Sequence, residues 1–355
     1  MLEQNPSPAL EAHYEEVRLW GWPTLVSLII TFVILVGLGA MLDIQETWRQ
    51  VVACNKTLMV LGGLAHYLTY LVRGYRWQRC LAPVSSPCKW RMFGLLTFFA
   101  NGVDNVVPGK LAEVYAAHLA WINCGIRRST ALGALVFLRM VDAWVVLLLA
   151  ALASWWLFAT SLPRAVLWSL LLGVCVAGGV TLVLLICVLF KRALPTWIPA
   201  RGQQMIRTFH LGMWPPSSQL GLIIVLTSLI WVLESVWTVS LAAAFGIKVR
   251  PMQGIFLTML PLLASAVPLT PSGVGVVEVT MYSCLRLLDV SAATAAALIV
   301  VHRLIDYWLH LGVGALLWAF RRPIGLRTWF EASPPVAPGA QSSQHSLREV
   351  MSYGA

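Results

Sequence analysis

The sequence predicts an all-α polytopic membrane protein made of two inverted repeats, each with a broken or re-entrant helical hairpin, giving about six full crossings plus two hairpins. Three observations predict it. Hydrophobic residues make up 59% of the chain and charged residues only 11%, against about 25% charged in a soluble domain. Apolar runs able to cross a bilayer, about 20 residues each, recur near 22–42, 55–72, 130–158, 164–189, 218–246 and 292–320. Two further apolar pairs, 92–124 and 253–288, are interrupted in the middle by proline and glycine.

Taken in order, segment 1–20 is polar and acidic, with Glu3, Glu11, Glu15 and Glu16. A basic n-region and a cleavage site are both missing around the first run, which therefore reads as an anchor and not a signal peptide. The membrane domain is expected over 21–325, with repeat one at about 55–158 and repeat two at about 218–320. Residues 326–355 are rich in Pro, Ser, Gln and Ala and read as a disordered tail, and no soluble catalytic domain is expected at either end.

Successive loops alternate sides provided each interrupted pair begins and ends on one side. The N-terminus, loops 73–91, 123–129 and 190–217, and the tail then share a side holding sixteen Lys and Arg, against six on the other. The positive-inside rule makes that side cytoplasmic, with both termini inside and the chain in the inner (plasma) membrane. The net charge of +10 is held in short loops, where orientation and anionic lipid headgroups explain it, so nucleic acid is not expected as a partner. Many of the 17 tryptophans, Trp48, Trp77, Trp90, Trp155, Trp156 and Trp168 among them, fall near run ends as interfacial belts would. The seven cysteines are scattered and suggest neither a disulfide framework nor a metal site. No cofactor is expected. Lone histidines such as His66 and His310 read as helix-packing residues.

The two interrupted pairs share a pattern. "VVPGKLAEVYAAHLA" (106–120) and "TPSGVGVVEVTMYSCL" (270–285) each set a proline and glycine before a helix with a glutamate in its first turns, Glu113 and Glu278. After 26 and 25 residues come "RMVDAW" (139–144) and "RLIDYW" (303–308). Three crossings lie between the pairs, and an odd number places them on opposite faces, which makes the repeats inverted. Matched Gly/Pro interruptions in inverted repeats are the best sequence pointer to a transporter's binding site.

A helix that starts inside the membrane leaves amides unpartnered and carries partial positive charge there. Such an end accepts a phosphate or carboxylate. Gly109, Gly273 and Gly275 allow the tight turns; Lys110, Arg139 and Arg303 are the candidates for recognising the headgroup's charge, and Glu113, Glu278, Asp104, Asp142, Asp306 and Glu234 the candidates for gating or proton coupling. Glu113 and Glu278 either cap those amides or pair with Arg139 and Arg303; as pairs they serve as struts or as gating and proton-coupling groups. Asp142 and Asp306 lie three residues beyond those arginines and can neutralise them locally. Asn101, Asp104 and Asn105 precede the first break, facing the same pocket or satisfying unwound backbone. Glu234, alone in "LIWVLESVWTVS", reads as a proton carrier or a partner for Arg303. Arg73, Arg76 and Arg79 read either as snorkelling anchors, with Trp77 at interface depth, or as headgroup ligands. Nine such charges, unpaired and lipid-facing, would cost on the order of 20–30 kcal/mol, so they face one another or a hydrated cavity.

Soluble-enzyme chemistries lack their residues. "GVGVVE" has Glu278 where a nucleotide loop has its last glycine, and "PGKLAE" is not a Walker A loop. Neither His-Glu-x-x-His nor Gly-x-Ser-x-Gly occurs, so no enzyme of these classes is expected.

The order Arg-x-x-Arg-Trp (Arg73, Arg76, Trp77), Pro-Gly-Lys-x-x-Glu (Pro108 to Glu113), Arg-x-x-Asp (Arg139, Asp142), Pro-Ser-Gly-x-Gly-x-x-Glu (Pro271 to Glu278) and Arg-Leu-Ile-Asp-Tyr (Arg303 to Tyr307) resembles the lysylphosphatidylglycerol synthase transmembrane-region family, the flippase-like module of MprF proteins and stand-alone relatives. The resemblance covers roughly 15–325. It departs from the family pattern at Ala112, before Glu113, and at Leu138 and His302, before the arginines. The aminoacyl-transferase domain of full-length synthases is missing. The resemblance therefore implies binding or movement of an amphipathic lipid and not lipid aminoacylation. The expectation is an integral membrane lipid translocase that binds an anionic lipid or lipid-linked headgroup near the midplane and moves it between leaflets. A membrane enzyme or accessory subunit acting on lipid-linked substrates, or a non-transporting scaffold, is the alternative. Homo-oligomerisation is left open.

Overall fold

A computed structural model of the protein describes residues 43–82, 84, 88–106, 112–192, 199–266 and 273–327, and among them every regular element is helical. The first apolar run, nearly all of the tail, and Gly109 and Lys110 lie outside the described residues. Helix α1 (Ile44–Ala53) meets α2 (Lys56–Cys80) at an 84° bend. Asn55 makes that corner, its side chain accepting from the amides of Thr57 and Leu58 as the N-cap of α2. Next come α3 (Trp90–Val106), α4 (Ala112–Cys124), α5 (Arg128–Phe158), α6 (Arg164–Arg192) and α7 (Ala200–Met213). The second half holds α8 (Ser217–Ala244), α9 (Pro251–Ala264), α10 (Val276–Leu287) and α11 (Ala292–Arg303), then a π-helical segment (Leu304–Leu309) and α12 (His310–Ala319).

Among the described residues, four continuous helical stretches are long and apolar enough to cross a membrane: Arg128–Phe158, Arg164–Ile186, Ser217–Ala244 and Ala292–Ala319. The protein is a multi-pass membrane protein. With 25 residues, α2 has the length, about 1.5 Å per residue, but buried His66, Thr69 and Arg76 dilute its hydropathy. The interrupted pairs are the hairpins α3/α4 and α9/α10. Arms of 13 residues in α4, 14 in α9 and 12 in α10 are shorter than the roughly 20 needed to span a bilayer.

The two halves repeat an arrangement. In the first, α2 packs on α3 and α4 on α5; in the second, α8 packs on α9 and α10 on α11. The most extensive contact joins α2 to α8, so the leading helices of the halves form the centre. One core cluster surrounds the first hairpin and α5, a second surrounds α8, the second hairpin and α11, and a third joins α5, α6, α8 and α9.

Three sequence expectations are corrected. The 190–217 connection contains α7, which packs against α5 through small residues: a Cβ on Gly212 would meet the carbonyl of Thr130, and one on Gly133 that of Phe209. Trp77 is not interfacial; it is 1% exposed and stacks edge-on against Phe93 at 5.2 Å, because α2 continues past its apolar run into the first core cluster. Cys88 and Cys124 form a disulfide that ties the start of the first hairpin to its end. Spacing did not suggest it, since the partners are 36 residues apart and meet only once the hairpin folds. Trp48, Trp155, Trp156 and Trp168 are exposed, as belt residues should be.

Candidate functional site

Between the halves lies a cavity of about 670 Å³ whose wall takes residues from both hairpins and from α2, α5, α6, α8 and α11. Its lining is both charged and apolar. Arg73, Arg139 and Arg303 face it together with Asp104, Glu113, Asp142, Glu234 and Asp306, while Val146, Val176, Val180, Leu257, Leu262 and Leu263 form the apolar wall. Among the described lining residues, carboxylates outnumber arginines five to three.

The halves build the same ion pair. Arg139 Nε donates to Glu113 Oε1 in the first, and Arg303 Nε donates to Glu278 Oε1 at 2.6 Å in the second. Glu278 performs both roles open to it, because its Oε2 also accepts from the Gly275 amide at 2.6 Å. That amide is consequently not left for a ligand, which corrects the expectation for Gly275 as a headgroup donor. Gly275 and Gly273 have φ of +92° and +65°, a region that glycine enters without penalty, and Gly273 lines the cavity.

Asp142 finds a partner other than the arginine three residues before it, whereas Asp306 keeps the expected local pair with Arg303. Asp142 accepts from Arg76 Nη1 at 2.5 Å and Nη2 at 3.0 Å, and from Trp231 Nε1 at 3.2 Å. Arg76 also donates to Thr227 at 2.7 Å and is 4% exposed, so it is a buried strut between α2, α5 and α8 and not a snorkelling anchor. Glu234 accepts from Arg73 Nη2 at 3.1 Å and Thr69 at 3.2 Å, and its other oxygen lies 2.8 Å from His66 Nδ1; Arg303 is not its partner. Asp306 lies 3.8 Å from Arg303 Nη1 and 3.4 Å from His66 Nε2. Asn101 and Asn105 line the cavity beside Asp104.

Two arginines keep donors in reserve. Arg303 Nη2 and Arg73 Nε are buried and have no hydrogen-bond partner among the described residues. Buried donors of this kind are costly unless a ligand or water meets them. His66, His302 and Tyr70 also line the wall. The signal for His66 was indirect: a solitary buried Glu234 demands a partner, but only the pairing of α2 with α8 says which.

The wall joins motifs that lie more than 200 residues apart in the sequence, Arg73 and Asp306 among them, and a model of the lysylphosphatidylglycerol synthase TM region matches residues 25–314. The chain belongs to that family. It is also similar to a UPF0104 membrane protein of Methanocaldococcus jannaschii, with 24% identity over 220 residues, 61% of this chain and 92% of the relative. Two shorter matches are to UPF0104 membrane proteins of Methanothermobacter thermautotrophicus. One is 27% identical over 99 residues, 28% of this chain and 30% of the relative. The other is 33% identical over 90, 25% and 27%. In this member of the lysylphosphatidylglycerol synthase TM family, the matched glutamates and arginines are partners of one another, and the wider acid cluster joins them through Asp306.

Proposed function

We propose that the protein is a lipid translocase of the inner membrane, with both termini cytoplasmic, and not an enzyme. It takes an anionic lipid or lipid-linked headgroup into the cavity between its halves and passes it from one leaflet to the other. The observation that carries the reading is one cavity lined by both charged and apolar side chains, the two kinds of surface that an amphipathic lipid requires. The reserve donors of Arg303 and Arg73 suit phosphate oxygens, since charge-assisted bonds from a guanidinium are the strong ones. The paired Glu113–Arg139 and Glu278–Arg303 bonds give each half a gate that an incoming phosphate opens by competing for the arginine.

Purified protein in liposomes containing acyl-labelled fluorescent phosphatidylglycerol, phosphatidylethanolamine or phosphatidylcholine tests this. Dithionite added outside bleaches only outer-leaflet label, and protein-dependent loss of protected label is the expected result with the anionic lipid. Arg303→Ala is expected to slow it at least about tenfold, the loss of about 1.4 kcal/mol of headgroup interaction. No movement of any lipid would favour an accessory or scaffold role.

A further inference from the structure

The mechanism above leaves His66 unused, together with the surplus of carboxylates. His66 sits midway along α2, with its side chain 5% exposed and its ring between two acids from different elements. Nδ1 is 2.8 Å from Glu234 Oε2 on α8, and Nε2 is 3.4 Å from Asp306 Oδ1 in the π-helical segment. A neutral imidazole has one N–H and one lone pair. Nδ1 is hydrogen-bonded to Glu234, whereas Nε2 is buried without a hydrogen-bond partner among the described residues and faces Asp306 only at ion-pair distance; with both acids ionised, a neutral ring that donates from Nδ1 turns its lone pair toward Asp306. The conflict vanishes when one further proton is held on His66 or on either acid.

We infer that His66, Glu234 and Asp306 form a proton-carrying site, and that the protein moves an anionic headgroup together with a proton. The inference rests on the translocase reading and specifies its energy source. An added anion meets five carboxylates and three arginines on the described wall. It binds best at Arg73 and Arg303, the cations that hold Glu234 at 3.1 Å and lie 3.8 Å from Asp306. Drawing those cations toward phosphate leaves the acids undercompensated and raises their affinity for a proton. By linkage the proton strengthens headgroup binding equally, which is symport.

The groups bearing on the site from other elements agree with this. His302 on α11 stacks on Trp237 at 5.9 Å and is close enough to interact electrostatically with His66, Glu234 and Asp306. Tyr70 on α2 and His310 on α12 bond to each other at 3.2 Å and lie within electrostatic reach of Asp306, as does Tyr67. Arg73 and Arg303 are the cations. Asp306, with its side chain 30% exposed, is the member most open to the cavity and the entry point for the proton. Its segment is π-helical, a distortion frequent at functional sites, and Tyr67 Oη donates to the Ile305 carbonyl at 3.1 Å. The protonated site clamps α2 to α8 and to this segment. Loss of the proton sets the Asp306 carboxylate against the His66 lone pair and releases the segment.

The test uses the full chain in liposomes with fluorescent phosphatidylglycerol, a pH difference across the membrane, and the potential clamped by potassium and valinomycin. The expected result is enrichment of labelled lipid in the leaflet facing the alkaline side, up to about tenfold per pH unit for one proton per lipid. His66→Gln, which donates a hydrogen bond but holds no extra proton, is expected to abolish the gradient response. Asp306→Asn carries the same test at a more exposed position if His66→Gln fails to elute as a monodisperse protein. Lipid movement indifferent to the gradient in the wild type, or a gradient response retained in the substituted proteins, overturns the coupling and leaves the translocase standing. No lipid movement under any gradient overturns both.

Discussion

At the scale of single residues, the Arg76–Asp142 pair shows how a charge becomes tolerable inside a membrane. Both oxygens of Asp142 are bonded to the guanidinium, and Thr227 and Trp231 complete the set. Removing one member of a buried pair strands the other, at about 3–5 kcal/mol, whereas replacing both by apolar residues is often nearly neutral. Arg76→Met is therefore expected to lower the thermal unfolding midpoint in detergent sharply, and Arg76→Met with Asp142→Leu to recover most of the loss. A double substitution no better than the single one would show that the pair is not the strut described. The Glu278–Arg303 pair responds differently, since Glu278 also caps the Gly275 amide. Exchanging the two residues restores the ion pair but not the cap. Much of this was legible: Glu113 with Arg139 and Glu278 with Arg303 follow from residue type and repeated spacing. Arg76 with Asp142 was not, because nothing in a one-dimensional pattern ranks Arg76 above Arg139, which lies only three residues from Asp142.

At the scale of elements, close approach of backbones sets the helix packing. A Cβ on Gly74 in α2 would meet the backbone nitrogen and Cα of Gly94 in α3, the kind of contact that small residues provide between membrane helices. Gly74→Val is expected to force the first hairpin away from α2, at about 1–3 kcal/mol for overpacking, visible as a lowered unfolding midpoint. An unchanged midpoint would mean that the two helices part without cost. Helix α1 exposes Ile44, Trp48 and Val52, spaced four apart, and packs against α11. Its apolar stripe and its 84° angle to α2 suit a helix lying in the interface. In the sequence α1 and α7 are indistinguishable from connections, because each is shorter than a crossing. The hairpins were legible from proline and glycine placed inside apolar runs. The π-helical segment at Asp306 was not, since "LIDYWL" carries no composition that separates π from α.

At the scale of the whole molecule, the surface is that of a protein embedded in lipid. Large apolar side chains are exposed along α2, α5, α6 and α8, Leu148, Leu182, Val225 and Val232 among them, far beyond the patch size of a soluble monomer. The proposed orientation has a direct check through the disulfide. Cys88 and Cys124 lie in the loops that the positive-inside count assigns to the cytoplasm, where reductants keep thiols open. The Cys88–Cys124 bond is therefore expected to be open in intact cells if the orientation holds, with both thiols alkylated during rapid acid quenching, and to close once the protein is purified in air. A pair already closed in reducing-competent cells would place these loops on the opposite face.

The sequence by itself determined the environment of the chain, its helical class, the two interruptions and the matched Glu–Arg spacing. These are local or periodic properties, dictated by how many apolar residues a bilayer requires and by what proline and glycine do to a helix. Tertiary structure alone decided that Asp142 meets Arg76 and Glu234 meets Arg73, that His66 stands between Glu234 and Asp306, and that charged and apolar side chains line one cavity. Those facts depend on the pairing of α2 with α8, whose bonded residues are 151 to 168 positions apart, and a partner at that distance is chosen by packing and not by spacing.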